Sequence, residues 1–249
     1  MGVNYTLVVE PQERHLYSGV ALNIITTPFS DLDRGSIPVR NFVWSLATKE
    51  NQPRHWLIDD NIEGFHRLNR NIKSNATTDL IFRCCENFVD RYVNIGLAGM
   101  NYYSFCKSTD SLSPFNINTR IYSCTLIDTA LPFRWRGRFN EDTDLSLRVL
   151  RSGMCTILFN AFLIGKVTTQ RMSGGNTDEI YANTNSRLEF AKSLESQHPD
   201  IVKTVWKFNR WHHQVDYSQF NKNTLVRKKI KPKVKTNYGV ITQSIKERA

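Results

Sequence analysis

Trp56-Leu57-Ile58-Asp59-Asp60-Asn61 is a short apolar run that stops at two adjacent carboxylates. A run of this kind reads as a strand that delivers its acids to the carboxyl edge of a sheet, where open α/β folds place their ligand crevice. Asp-Asp-Asn also suits an ordinary surface turn. The stretch therefore decides the fold only together with a second one.

That second stretch is Phe139-Asn140-Glu141-Asp142-Thr143-Asp144-Leu145-Ser146-Leu147-Arg148-Val149-Leu150, which predicts a helix over 141–152. Asn140 is a candidate N-cap, Leu145 with Val149 and Leu147 with Leu150 recur at helical spacing, and Gly153 ends the run. Acids in a first turn favour the helix dipole, which accounts for one or two of them. Glu141, Asp142 and Asp144, three carboxylates in four positions behind the cationic loop Arg134-Trp135-Arg136-Gly137-Arg138, exceed what capping needs. A carboxylate beside a phosphate-binding cationic surface suits a general base toward an acceptor hydroxyl.

Working outward, the chain alternates strand and helix, as a nucleotide-binding α/β sheet does. Strands are expected over 5–9, 21–26, 55–58, 93–98, 119–127 and 154–163, and helices over 39–47, 78–91, 141–152 and 188–195. Arg40 and Asn41 open a helix just after Pro38, with backbone amides toward the same crevice as the acids; an Arg fork suits a phosphate, and a plain surface Arg is the alternative. Gly174-Gly175-Asn176 reads as a mobile loop that could close over a ligand, or as an ordinary turn before a helix. Trp211-His212-His213 offers adjacent imidazoles that point opposite ways on an extended segment, so one of the two at most faces a site.

The 249 residues, 40% hydrophobic, are enough for one α/β domain and a tail. Cys84, Cys85, Cys106, Cys124 and Cys155 lack a zinc spacing and read as reduced thiols. No apolar stretch is long enough to span a membrane and no signal pattern opens the chain, so the expectation is a soluble protein of the cytoplasm without membrane partners. The net charge of +10 is uneven: residues 221–249 hold nine Lys or Arg against one Glu, a net of +8. We expect a domain over 1–220 and a basic tail over 221–249. Such a tail attracts polyanions through counterion release, unless it is simply a solvated end.

The paired motifs resemble nucleotide-sugar glycosyltransferases of the A-type fold, and more closely the TET-associated glycosyltransferases, phage and bacterial relatives of the enzyme that makes base J. Carrying the resemblance are Tyr5 to Glu13, Ile37 to Phe42, His55 to Phe65, Asn118 to Cys124, Trp135 to Leu145, Leu158 to Leu163 and Met172 to Thr177, in order, so that it spans roughly Val3 to Tyr217. It implies an α/β fold with a single Rossmann-like mixed sheet, here lacking the first strand and its basic turn, because Met1-Gly2-Val3-Asn4-Tyr5 is similar to the end of the helix that follows them.

The resemblance also implies roles. Arg40, Asn41, Asp59, Asp60 and Asn61 would bind a UDP-sugar donor, and Asp59, Asp60 and Asn61, with a late histidine best assigned to His213, would hold Mn²⁺ or Mg²⁺. Where the wider fold often has Asp-x-Asp, this chain has Asn61, an amide oxygen that can bind a hard cation without adding charge. Asp142, or Glu141 beside it, would be the base of an inverting displacement; Arg136, Arg138, Gly174, Gly175 and Asn176 would face the acceptor. The implied acceptor is the hydroxymethyl group of a modified pyrimidine in DNA, with the tail on phosphates, in a bacterial or phage-infected cell. The alternatives are transfer to a protein or glycan hydroxyl, and a DNA-binding module whose sugar site has decayed.

Overall fold

Two parallel strands, β1 (Thr6–Val9) and β2 (Asn23–Thr26), lead into helix α1 (Ile37–Lys49) and then into β3 (Arg54–Ile58), the apolar run that precedes the paired acids. The computed structural model describes residues 1–20, 23–30, 35–166, 184–229, 234–235 and 241–242. After β3 come β4 (Ile62–Asn69), β5 (Ile72–Asn75), helix α2 (Leu80–Val89), β6 (Ile95–Tyr102), β7 (Phe115–Ile117) and β8 (Cys124–Asp128). Helix α3 (Glu141–Arg151), β9 (Cys155–Lys166), helix α4 (Thr184–Gln197), β10 (Val202–Lys207) and β11 (Arg210–Val215) follow, with two-residue strands β12 (Val234–Lys235) and β13 (Ile241–Thr242) near the end.

The fold is α/β around a mixed seven-stranded sheet in the order β3-β8-β6-β9-β4-β5, with β7 also on β9. β8 lies antiparallel between β3 and β6, and β6 is parallel to β9, so β3, β6 and β9 all end at one edge. The expected single sheet is corrected on one point: β1 and β2 bond only to each other, and β10 with β11 forms another separate pair.

Burial explains the sheet's order. Ile95, Leu97, Ala98, Met100, Cys124, Leu126 and Ile127 are all sealed from solvent, the near-continuous apolar runs of strands covered on both faces. Gly99 lets β6 approach β8 closely, because a Cβ there would meet the Cys124 carbonyl oxygen at 2.5 Å. Helix α3 is buried on two sides: Leu145 and Val149 join a cluster with Trp44, Leu97 and Ile127, whereas Leu147 and Leu150 join Leu194, Ile201, Val202 and Phe220.

The strand expected over 119–127 is cut to its second half. Ser123 takes a left-handed φ of +59°, which breaks the extended run, and β8 starts one residue later. The hairpins β4–β5 and β10–β11 were not foreseen. Their two-residue turns, Arg70-Asn71 and Phe208-Asn209, have positive φ throughout, a geometry usually announced by Asn-Gly or Gly-Gly.

The chain beyond 220 also stays on the domain further than expected. Asn223 donates to the Leu150 and Met154 carbonyls, the Val93 amide donates to Val226, the Lys228 amide donates to Arg91, and Leu225 packs on the core. Cys84 is exposed, and the other four cysteines are buried and free. Among the described residues, no helix is long and apolar enough to cross a membrane.

Candidate active site

Asp59 leaves β3 with its amide donating to the Ser123 carbonyl at 2.8 Å, which fixes its position at the start of β8. From the first turn of α1, Arg40 spans the crevice. Its Nη2 lies 2.9 Å from Asp59 Oδ1 and its Nη1 2.6 Å from Asp142 Oδ1 and 3.5 Å from Glu141 Oε1. The guanidinium is only 8% exposed and stacks 4.6 Å from the Trp135 ring. The structure thus joins three of the expected residues, Asp59, Glu141 and Asp142, around a fourth, Arg40.

Two strands parallel to β3 add groups that sequence reasoning missed. Lys166 ends β9 and Tyr102 ends β6, so both reach the edge that holds Asp59. Lys166 Nζ is 3.0 Å from Ser123 Oγ, 3.4 Å from Tyr102 Oη and 3.6 Å from Asp59 Oδ2, while Tyr102 and Ser123 share a 2.7 Å hydrogen bond. The signal was available: Lys166 is the first charged residue after the apolar run of β9, as Asp59 is after that of β3.

Three carboxylates facing two cations leave the cluster with an excess acid. Burial raises the Asp142 carboxyl above the ordinary carboxylate range, with Arg40 pulling it down and Asp59 pushing it up. Burial and then the Asp142 charge raise Glu141 in the same way. Burial opposes the charge of Arg40, but Asp142, Asp59 and Glu141 more than offset it and leave the guanidinium firmly protonated. An acid that holds its proton more tightly than usual, beside fixed cations in a crevice, is suited to proton transfer.

Asp144 belongs elsewhere. Two residues on from Asp142, about 200° around the helix, it is 1% exposed and held by Arg136 Nη2 at 2.9 Å, Arg148 Nη2 at 2.8 Å and His198 Nε2 at 2.9 Å. Burial works against its charge, but the hydrogen bonds from His198 and Arg136 and the nearby Arg148 bring it down to about 2. Arg136, expected at the acceptor, is therefore engaged with Asp144 while its side chain stays 51% exposed. His198 carries no motif that would have flagged it.

Other expected residues have partners of their own. Asn41 uses both ends of its amide on the Trp135 backbone, Nδ2 to the carbonyl and Oδ1 from the amide, each at 2.9 Å, so it fixes the ring on which Arg40 stacks. Asn140 sits at the N-cap position but makes no capping bond; its φ is +57° and its Nδ2 donates to the Phe190 carbonyl. Arg138 lies 5.5 Å from the Phe139 ring. Gly174, Gly175 and Asn176 lie outside the described residues.

A divalent cation has a partial fit. Asp60 is exposed at the turn, and Asn61 Oδ1 is buried without a hydrogen-bond donor, an oxygen open to a hard cation. Asp59 is already shared between Arg40 and Lys166. Among the described residues no three His, Cys, Asp or Glu side chains are grouped as a metal site. His213 is not brought to the acids: it lines a pocket with Arg120 and Tyr217, where burial and then Arg120 lower it to about 4.

No curated protein and no solved structure matches the chain. A family description of TET-associated glycosyltransferases matches residues 1–175. That span contains every residue of the Arg40 cluster, and it shows that this chain belongs to the TET-associated glycosyltransferase family.

Proposed function

We propose that the protein transfers a sugar from a UDP-sugar to the hydroxyl of a hydroxymethyl-pyrimidine in DNA, with inversion at the anomeric carbon. The observation that carries this reading is the Arg40 bridge, which sets Asp142, a carboxyl with raised proton affinity, beside two cations at a carboxyl edge of the sheet. Arg40 and Lys166 present fixed positive charge for a diphosphate, and Trp135 and Asn41 hold the Arg40 fork in place.

In this reading Asp142 takes the proton of the acceptor hydroxyl, with Oδ1 held by Arg40 and Oδ2 receiving it. The hydroxyl oxygen forms the new bond to the anomeric carbon as the bond to the diphosphate oxygen breaks, and UDP leaves. Glu141, the alternative base, shares the negative charge of the cluster. Asp59, Asp60 and Asn61 would hold Mn²⁺ or Mg²⁺, which when bound adds charge to stabilise the leaving diphosphate. Arg136 and Arg138, on the loop before α3, would meet acceptor phosphates, and the basic residues after 228 add attraction for DNA without reading its sequence.

Mass spectrometry of nucleosides digested from hydroxymethyl-cytosine and hydroxymethyl-uracil DNA, after incubation with the protein, Mn²⁺ and a panel of nucleotide sugars, tests the reading. A gain of one sugar mass on one base is expected, and it names sugar and base together. Donor binding without any gain on DNA would overturn the DNA acceptor in favour of a protein or glycan hydroxyl. Absence of donor binding would overturn the enzyme reading in favour of a decayed DNA-binding module.

A further inference from the structure

The β10–β11 hairpin carries a largely exposed aromatic residue at its turn, which meets the His212 ring edge-on at 6.1 Å. Its turn places Phe208 at φ +52° and Asn209 at φ +56°, a left-handed pair that Gly or Asn adopts at least cost and that strains a bulky side chain. Phe208 nevertheless is 87% exposed, and Trp206 one residue before the turn side is 52% exposed, paired with Trp211 at 5.2 Å. Beside them Arg120, Val205, Phe208, His212, His213 and Tyr217 line a pocket of about 400 Å³ that also borders Lys207 and holds no carboxylate. Tyr217 is in its wall, with a buried hydroxyl that makes no hydrogen bond of ordinary geometry among the described residues.

The pocket is tied to the candidate active site through the chain. Ile121, next to Arg120, donates its amide to Ser146 Oγ at 3.0 Å, and Ser146 Oγ donates to the Asp142 carbonyl at 2.8 Å. The loop that supplies Arg120 is thus fastened to the first turns of α3. An aromatic that is 87% exposed and meets the His212 ring edge-on at 6.1 Å, with two cations and no carboxylate among the described residues lining a cavity of small-ligand size, makes a stacking platform.

We propose that this hairpin and Arg120 hold an unpaired nucleobase of the acceptor DNA, with Phe208 stacking on the base, the pocket walls meeting its polar edge, and Arg120 and Lys207 meeting its phosphates. The proposal rests on the DNA reading above. It assigns to the hairpin the capture of an extruded base, so that the acceptor is presented unstacked rather than read in the major groove.

Fluorescence anisotropy with single-stranded and fully paired oligonucleotides, on the full chain at a salt concentration that suppresses the basic tail, provides the test, with UDP binding measured alongside. The wild type should prefer the single strand. Phe208→Ala should weaken it about fivefold or more, Phe208→Tyr should restore it, and UDP affinity should not move. Because Phe208 is 87% exposed, neither variant should disturb the fold. If Phe208→Ala binds the single strand as the wild type does, the hairpin proposal falls while the DNA reading stands. If it weakens UDP instead, the pocket belongs to the donor's base and the proposal also falls. If the wild type binds UDP but no DNA, the DNA reading itself fails and the proposal with it.

Discussion

Asp142 and Asp144 stand two residues apart on one helix and live in opposite environments. Asp144 is sealed by two guanidiniums and an imidazole, and its charge is held so well that it stays ionised down to about pH 2. Asp142 shares one guanidinium with two other carboxylates and is pushed toward its proton. The difference teaches that an acidic helix start can contain a fully compensated anchor and an under-compensated acid at once, and that the count of compensating cations separates them. Asp144 fastens the 134–138 loop and α4 to α3; Asp142 is left in excess at the crevice.

The largest effect expected is on turnover. Asp142→Asn should lower sugar transfer by about 10² to 10⁴-fold, the usual worth of a positioned base, while donor binding and thermal stability stay near wild type. The stability clause is the sharp one: removing an acid whose proton affinity is raised relieves a charge the fold holds at a cost. A variant that transfers sugar normally would break the comparison, because Asp142 would then be no more reactive than Asp144.

Asp144→Ala should do the reverse. Truncating one partner of a buried charged group costs about 3–5 kcal/mol, which in a domain of this size lowers the melting temperature by roughly 10 °C. Whatever folded protein remains should bind donor. Melting followed by calorimetry, with binding measured on the folded fraction, decides it; a stable Asp144→Ala protein that no longer binds donor would place Asp144 in the site.

Acid should separate the two by pH. Asp144 has a folded value of about 2, below the ordinary 3.8, so its contribution of about 2 kcal/mol is present above 3.8 and lost as pH falls through 2. Asp142 and Glu141 are raised, so their protonated forms are favoured in the fold, and lowering the pH costs activity before it costs stability. The acid limb of kcat/KM should lie above the ordinary carboxylate range, and Arg40→Gln should move it further up, because Arg40 holds Asp142 down. A limb at the ordinary position would remove Asp142 and Glu141 as the base.

Much of this was legible in the residues. Asp59, Glu141 and Asp142 announce themselves as acids after an apolar run or at a helix start, and Arg40 by its place after a Pro. What separates Asp142 from Asp144 was not, because it depends on His198 and Arg148, which come from other turns, and helical phase assigns faces without saying what covers them. Lys166 stood in the sequence as the first charge after an apolar run, but that it and Tyr102 reach the edge of Asp59 follows only once β6 and β9 are known to run parallel to β3. The two hairpins escaped because Arg70-Asn71 and Phe208-Asn209 bend with residues that ordinarily signal nothing of the kind. The acids that meet around Arg40 were thus more legible than the groups packed around them, since charged residues stand out in sequence while packing partners are chosen in space.

The smallest effect expected is the one that tests the boundary between the two acids. Arg136 bonds Asp144 through Nε and Nη2 yet is half exposed, on the loop expected to meet the acceptor. If it is only an anchor for Asp144, Arg136→Gln should cost under about 1 kcal/mol, since Arg148 and His198 remain and half-exposed ion pairs are worth little. If its exposed half also meets a DNA phosphate, the same variant should raise KM for DNA with kcat unchanged and reduce the salt slope of DNA binding by about one. A change in stability alone would put Arg136 wholly on the side of Asp144. A change in the salt slope would make it the residue through which the buried anchor and the reactive edge share a side chain.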